Sequence, residues 1–475
     1  MMKYFDPANP PTHSIPLEGS SLYMDDEEAR WWLYKFAGHP IEEAEPGLLA
    51  GYNCSIEEHL SKPLDFTLPA GFKAEVEMTM AAAGDIYPAP QLNEQNTKHS
   101  FDDIQAFYFD NDLVYANLEA PVYPEAPSFT PVSASDYDAQ IEAGVSKPPP
   151  PVMNLRAETI EIFHRNGRGS KASETLHCFS TANNHSLDMG EDGLVSTLKF
   201  LDSKKIIHSG TARSLEEQTK FPVININGIK TAILSYTFGL NLNLPLPGKE
   251  YLVNLVRLNK PGADLSLMEK HIKLAKASNA DNAAKSANAD LVVLCLHWGL
   301  EFESFPLAWQ IYLAHKLIES GVDIIIGNHP HGIQGAETHH YIDKNGIGRT
   351  GLVLYAMGDL IGPIYVIESL QKEGRPLPNK LSNLDILCNS SLGALAKITV
   401  QKGRLNGRAE TFISDADIKV LLRYFTYKDT LCTGFSLWDI KHFAQKLATG
   451  EIHPGKKATE EFNRLAALAQ RVLHY

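Results

Sequence analysis

The strongest constraint in this chain is an alternation that begins near residue 74. Short apolar segments of strand length, each ending in a polar, glycine-containing turn, are separated by stretches with helical spacing. The strand candidates are 75–83, 113–118, 175–181, 221–226, 229–236, 291–296, 322–327 and 350–356, dominated by Ala, Val, Ile and Leu and bounded by Gly, Asn or Asp. Between them, 189–203 sets Leu194, Leu198 and Leu201 at helical spacing, and 263–289 and 307–320 read as further helices. This pattern predicts an α/β domain, with Asn227-Gly228 as a type I′ turn joining two of its strands into a hairpin.

The flanks follow a different grammar. Residues 1–73 form an N-terminal extension in which Asp25-Asp26-Glu27-Glu28 precedes the run from Trp31 to Phe36, a short helix with acidic residues in its first turn. Its tryptophans are read as packing on the main domain. Within the 74–365 domain, 121–151 carries eight prolines, which prevents a helix and predicts an inserted surface loop, either covering a cleft or offering a PxxP-type ligand. The C-terminal 366–475 reads as a hairpin, 392–400 with 405–413 turned at Leu405-Asn406-Gly407, followed by helices near 436–448 and 457–473.

Composition excludes several classes. With 43 Lys and Arg against 57 Asp and Glu, the formal charge is -14, which repels a phosphate backbone and argues against nucleic acid as a partner. The five cysteines are scattered, without CxxC or Cys/His finger spacing, so neither a disulfide framework nor a thiolate zinc site is expected. Residues 1–20 hold no apolar run suited to a signal peptide, and no later stretch is long enough to span a bilayer. A cytoplasmic protein with reduced thiols is the expectation.

Polar, metal-competent residues recur where the strand candidates end, the usual place for sites in open α/β sheets. Asp85 follows the first strand and Glu119 the second. Asn184 and His185 follow 175–181, His297 ends 291–296, and His329 and His331 follow 322–327. His329 and His331 stand two apart around Pro330, so on an extended segment both imidazoles face one way. Together with the carboxylates and the amide they make a mixed oxygen and nitrogen donor set suited to Mn, Zn or Fe.

Five ordered motifs carry a family resemblance: Gly84-Asp85; Asn117-Leu118-Glu119; Ala182-Asn183-Asn184-His185 with Asp188 and Gly190; His297-Trp298-Gly299 with Glu301; and Gly327-Asn328-His329-Pro330-His331 with Gln334. In this order they resemble the CapA family of poly-γ-glutamate capsule synthesis proteins. Tyr355-Ala356-Met357-Gly358-Asp359-Leu360 is a loose version of a further family element, with Asp359 where Asn is usual. The family is similar in fold to the calcineurin-like metallophosphoesterases, implying an α/β (α+β) four-layer β-sandwich flanked by helices.

The resemblance implies that Asp85 and His331 bind one metal, that Asn184, His297 and His329 bind a second, and that Glu119 bridges them. It places His185 as the general acid, a role suited to a group whose unperturbed pKa lies near neutral. Asp188 stands both where it would orient His185 and where a helix N-cap belongs, while Trp298 and Glu301 are read as substrate-binding. Two departures are plain: the phosphoesterases begin with an Asp-x-His pair, whereas the residue two after Asp85 here is Tyr87, and their bridging ligand is Asp, whereas here it is Glu119. The expected activity is a metal-dependent hydrolase with one or two divalent ions, acting on a phosphoester or related bond. The alternatives are a poly-γ-glutamate synthesis or binding factor with little phosphatase activity, and an amide hydrolase or transferase on glutamate polymers.

Overall fold

The computed structural model describes Lys35, residues 41–44, 60, 62–126, 129–130, 152–166, 175–241, 245, 247–259, 261–277, 287–362, 391–428, 431–453 and 455–473. The expected N-terminal helix lies outside these residues except for Lys35, which is helical, and so does 131–151 of the proline-rich insertion. The flanks of that insertion pair as a short ribbon, Phe129–Thr130 (β3) with Val152–Met153 (β4).

Two sheets form the core. The larger is ordered β16-β15-β14-β1-β2-β5-β6, and the smaller β11-β12-β10-β9-β8-β7. In the first, β1 (Lys73–Ile86), β2 (Leu113–Leu118), β5 (Leu176–Ser180) and β6 (Ile207–Ser209) run parallel, with β13 (Asp359–Ile361) also paired to the end of β1. In the second, β8 (Ile229–Thr237), β9 (Leu291–His297), β10 (Ile324–Asn328) and β12 (Gly348–Leu354) are parallel. The antiparallel strands β7 (Val223–Ile226) and β11 (Ala336–Ile342) close the two edges of that sheet.

The apolar runs explain the arrangement. All seven residues of β9, Leu-Val-Val-Leu-Cys-Leu-His, are buried, as are all of β10, because a central parallel strand is covered on both faces. Met78, Met80 and Tyr115 of one sheet share a core with Ile233, Leu294 and Ile326 of the other, so the sheets pack face to face. Helices α5 (Ser266–Lys276) and α6 (Ala308–Glu319) turn Met268, Ile272, Ile311 and Ile318 into that cluster. On the other side, α1 (Gln105–Phe109) and α2 (Ala157–Asn166) join Phe101 and Phe179 in a second cluster over the larger sheet. Among the described residues the remaining α-helices with full ranges are α3 (Gly190–Ser203), α4 (Leu215–Gln218), α7 (Ile440–Ala448) and α8 (Lys456–Leu473). This is a mixed α/β fold of two sheets with helices outside them.

The Asn227-Gly228 turn has φ of 51° and 85°, the double left-handed geometry that a type I′ hairpin requires. The stretch read as a C-terminal hairpin is longer than expected and belongs to the main sheet. Strand β14 (Leu392–Leu405) pairs antiparallel with β1 from Lys73 to Ala83, then with β15 (Arg408–Lys428), which pairs with β16 (Leu431–Asp439). The helix expected from 436 starts at Ile440 instead. Alternating burial of Phe435 and Leu437 keeps the preceding residues in the sheet, and Asp439 caps the helix by accepting from the Lys441 N–H at 2.9 Å. Among the described residues no helix is long and apolar enough to cross a membrane.

Candidate metal centre

The parallel strands of both sheets end at one place, and their ends carry the expected donors. Asp85 is the penultimate residue of β1, Glu119 follows β2, Asn184 and His185 follow β5, His297 ends β9, and His329 and His331 follow β10. Close backbone approach makes this convergence possible. A Cβ on Gly84 would lie 1.8 Å from the Gly358 carbonyl, and one on Gly327 would lie 1.9 Å from the Tyr355 carbonyl, so only glycine fits at either position.

Three sets of donor atoms lie within 4.8 Å of one another: Glu119, His297 and His329; Glu301, His329 and His331; and Asp85, His331 and Asp359. The Glu119 carboxylate is 3.4 Å from His297 Nε2 and 3.7 Å from His331 Nε2. Asn184 joins through Oδ1, 2.8 Å from His297 Nε2. Asp85 is held by the Asn117 amide, which donates to Oδ1 at 2.8 Å, and by the His329 N–H, which donates to Oδ2 at 3.2 Å.

The expected alignment of His329 and His331 along an extended segment is not what the structure contains. Their φ angles are 103° and 51°, so the chain bends at His329-Pro330-His331 and the imidazoles converge through the bend, 6.2 Å between ring centres. Left-handed backbone at two non-glycine residues costs on the order of 1–3 kcal/mol each, and such strain concentrates at functional sites.

The electrostatics have the form of a cluster built for a cation. Asp85, Glu119 and Asp359 are all fully buried. Burial raises Asp85 to about 6 against the opposing pull of His331. Burial, followed by the charge of Asp85, raises Glu119 well above the ordinary carboxylate range. Burial and then the neighbouring imidazoles hold His297 and His329 well below theirs. Burial also disfavours charge on His331, but Asp359, Glu301 and Asp85 outweigh it and raise this imidazole to about 9. Both oxygens of Glu119 and Nδ1 of His329 take no hydrogen bond among the described residues. Orphaned buried atoms of this kind are costly, and a divalent ion would satisfy them together. The donor set therefore fits a metal.

His185 Nδ1 lies 2.7 Å from Asp188 Oδ2, and that oxygen also accepts from the Met153 N–H at 2.7 Å. The helix N-cap is Met189, without a side-chain cap, so Asp188 is placed beside His185 rather than as a cap. Tyr87 packs its ring against both His331, at 5.3 Å, and His185, at 6.0 Å, in the position where the Asp-x-His pattern has its imidazole. Trp298 departs from the substrate-binding expectation. Its indole is fully buried, stacks on Tyr355 and donates to the Tyr355 carbonyl at 3.0 Å, which gives it a place in the core beneath the site. Glu301 is half-buried, 4.0 Å from His329 Nδ1.

Two features were absent from the sequence reading of the site. Asp359, noted in the sequence only as the departure from Asn in the Tyr355–Leu360 element and not as a site residue, lies 2.8 Å from His331 Nδ1. The second is a contribution from the N-terminal segment. Lys35 pairs with Glu303, and Ile41 bridges the same loop, donating to the Phe302 carbonyl at 2.9 Å and accepting from the Ser304 N–H at 2.8 Å. Phe302 in turn lies 6.1 Å from the His331 ring.

A two-sheet α/β fold with buried imidazoles and carboxylates at its strand ends is consistent with the calcineurin-like metallophosphoesterase superfamily. Residues 165–363 match the family described as bacterial capsule synthesis protein PGA_cap. The capsule biosynthesis protein CapA of Bacillus anthracis is 24% identical over 297 residues, 62% of this chain and 62% of its own. The PGA biosynthesis protein CapA of Bacillus subtilis is 28% identical over 186 residues, 38% of this chain and 41% of its own. A probable polyglutamine synthesis accessory protein of Mycobacterium tuberculosis is 23% identical over 185 residues, 39% and 45% respectively. The chain is thus similar to CapA proteins over part of its length, and its matches span less than two thirds of the length of these curated relatives.

Proposed function

We propose that this chain is a CapA-type metal-dependent hydrolase acting on a phosphoester or a related polar bond. The observation that carries the reading is Glu119, buried between two imidazoles with no hydrogen bond to either oxygen among the described residues. Asp85, Glu119, Asn184, His297, His329 and His331 would hold one or two divalent ions of the Mn, Zn or Fe type. A bound ion supplies Lewis-acid polarisation of a substrate oxygen and lowers the pKa of water. The chain's own groups supply orientation and a proton. Asp188 engages His185 Nδ1 and is itself fixed by the Met153 N–H, which leaves Nε2 to deliver a proton to the leaving oxygen. Glu301, less buried than the donors below it, is assigned to the substrate side.

A second reading follows from the names of the relatives, which refer to capsule, PGA and polyglutamine synthesis. In it, the chain binds a glutamate polymer, or cleaves or transfers its amide bonds, during polymer synthesis. A chain at -14 needs a local positive centre to hold a polyanion, and the same buried cluster, once loaded with metal, would supply it.

Elemental analysis of the purified protein against Asp85→Ala and His331→Ala, together with turnover on a phosphoester panel and on poly-γ-glutamate, separates these readings. Metal in the wild type that is lost in both variants, with metal-dependent phosphoester turnover, supports the hydrolase. Release of glutamate or shorter oligomers moves the assignment to the amide bond. Wild-type protein without metal or turnover, but with polymer binding that survives both substitutions, replaces the hydrolase with the binding factor.

A further inference from the structure

One buried charge chain reaches the donor cluster from a part of the molecule outside the matched segment 165–363. Arg423, on β15, is completely buried, with Nη2 3.0 Å from Asp359 Oδ2 and Nη1 donating to the Gly362 carbonyl at 2.9 Å. Asp359 Oδ1 lies 2.8 Å from His331 Nδ1. The opposite ring nitrogen of His331, Nε2, faces Glu119 at 3.7 Å.

These contacts divide the two nitrogens of His331 between two tasks. Nδ1 is committed to a carboxylate at hydrogen-bond distance, so Nε2 is the atom presented to the cluster. A carboxylate behind a metal-binding imidazole fixes ring orientation and tautomer. The second Asp359 oxygen is turned toward a guanidinium that cannot leave its buried position without abandoning both Asp359 and the Gly362 carbonyl. Asp359 thus faces Arg423 on one side while its carboxylate also lies within 4.8 Å of ligand atoms of Asp85 and His331, so the ion pair competes with a cation for it.

We propose that Asp359 and Arg423 form a positioning pair for the metal centre: Asp359 fixes the His331 ring through Nδ1, and Arg423 anchors Asp359 as an orienting group rather than a ligand. The proposal rests on the metal-centre reading. It assigns a site role to β15, a strand with no donor of its own in the cluster.

The test uses zinc affinity, measured by chelator competition on the full chain, and the thermal midpoint of the metal-free protein. Asp359→Asn keeps an oxygen acceptor for Nδ1 and retains wild-type affinity within about threefold, whereas Asp359→Ala loosens zinc by roughly 10–100-fold. If Asp359→Asn loses zinc as severely as Asp359→Ala, Asp359 is a ligand and the proposal fails. Arg423→Met lowers the metal-free midpoint by roughly 5 °C beside Asp359, and by clearly less in the Asp359→Asn background, where no buried carboxylate needs a countercharge. Equal loss in the two backgrounds overturns the pairing. Wild-type protein that takes up no zinc at all overturns the metal-centre reading itself, a result distinct from either failure.

Discussion

The Lys35 ammonium lies 2.7 Å from the Glu303 carboxylate, and both side chains are buried although 268 positions separate them in sequence. Glu303 sits two residues beyond Glu301, in the loop whose Phe302 packs near His331. The N-terminal segment thus braces the loop at the edge of the donor cluster. Removing one member of a buried pair leaves the other charge uncompensated, so Lys35→Met destabilises the protein by about 3–5 kcal/mol. The double variant Lys35→Met with Glu303→Gln recovers part of the loss. Urea denaturation midpoints of the two single variants and the double variant check this, and strict additivity contradicts it.

Glu119→Gln has opposite effects on stability and on metal retention. In the metal-free protein the folded state holds a proton on Glu119 at pH values where the unfolded chain has released it, so stability falls as pH rises above the ordinary carboxylate range. The amide removes that contribution and stabilises the metal-free protein near neutral pH. It also removes an anionic donor, and metal affinity drops by more than about 100-fold. Calorimetry with and without metal reads both changes.

Asp188→Asn separates orientation from metal binding. Metal content stays at the wild-type level because Asp188 touches His185 and the Met153 N–H. Turnover falls by roughly 100-fold if His185 delivers the proton to the leaving oxygen. The loss is smaller for substrates with good leaving groups, and an equal loss across leaving groups contradicts the acid role.

Acid sensitivity arises partly from His271, far from the donor cluster. Its Nδ1 lies 2.8 Å from the Tyr236 hydroxyl, and burial lowers the imidazole to about 4. Between the unfolded value near 6.5 and about 4, the unfolded chain takes up a proton that the folded chain refuses, so stability falls with pH across that window. The accumulated loss is about 3 kcal/mol. In His271→Leu the stability profile between pH 4 and 6.5 is flatter than that of the wild type.

The parallel strands and their terminal donors were readable because central strands are continuous apolar runs and the polar residues fall where those runs stop. Val-Val-Leu-Cys-Leu-His in β9 shows both features. The bend at His329-Pro330-His331 was not readable, because spacing implies a direction only if the backbone is extended. The orientation of Trp298 is not readable for a related reason: its place in a motif says nothing about which way the indole turns, and here it donates to the Tyr355 carbonyl. Arg423 had no local signal at all. An arginine in an amphipathic strand reads as a surface residue until Asp359 is known to face it.

The placement of β14 sets a timetable for the newborn chain. Ala83 of β1 pairs with Leu395, so a strand that carries a donor at its end waits for a partner 312 residues later. At ordinary rates of synthesis this interval is roughly 15–60 s. Throughout it the β14-facing edge of β1 is an open template for another chain. The ribosome therefore adds all of the intervening residues before β1 can be enclosed on that side, and a factor that shields that edge would raise the yield of folded product.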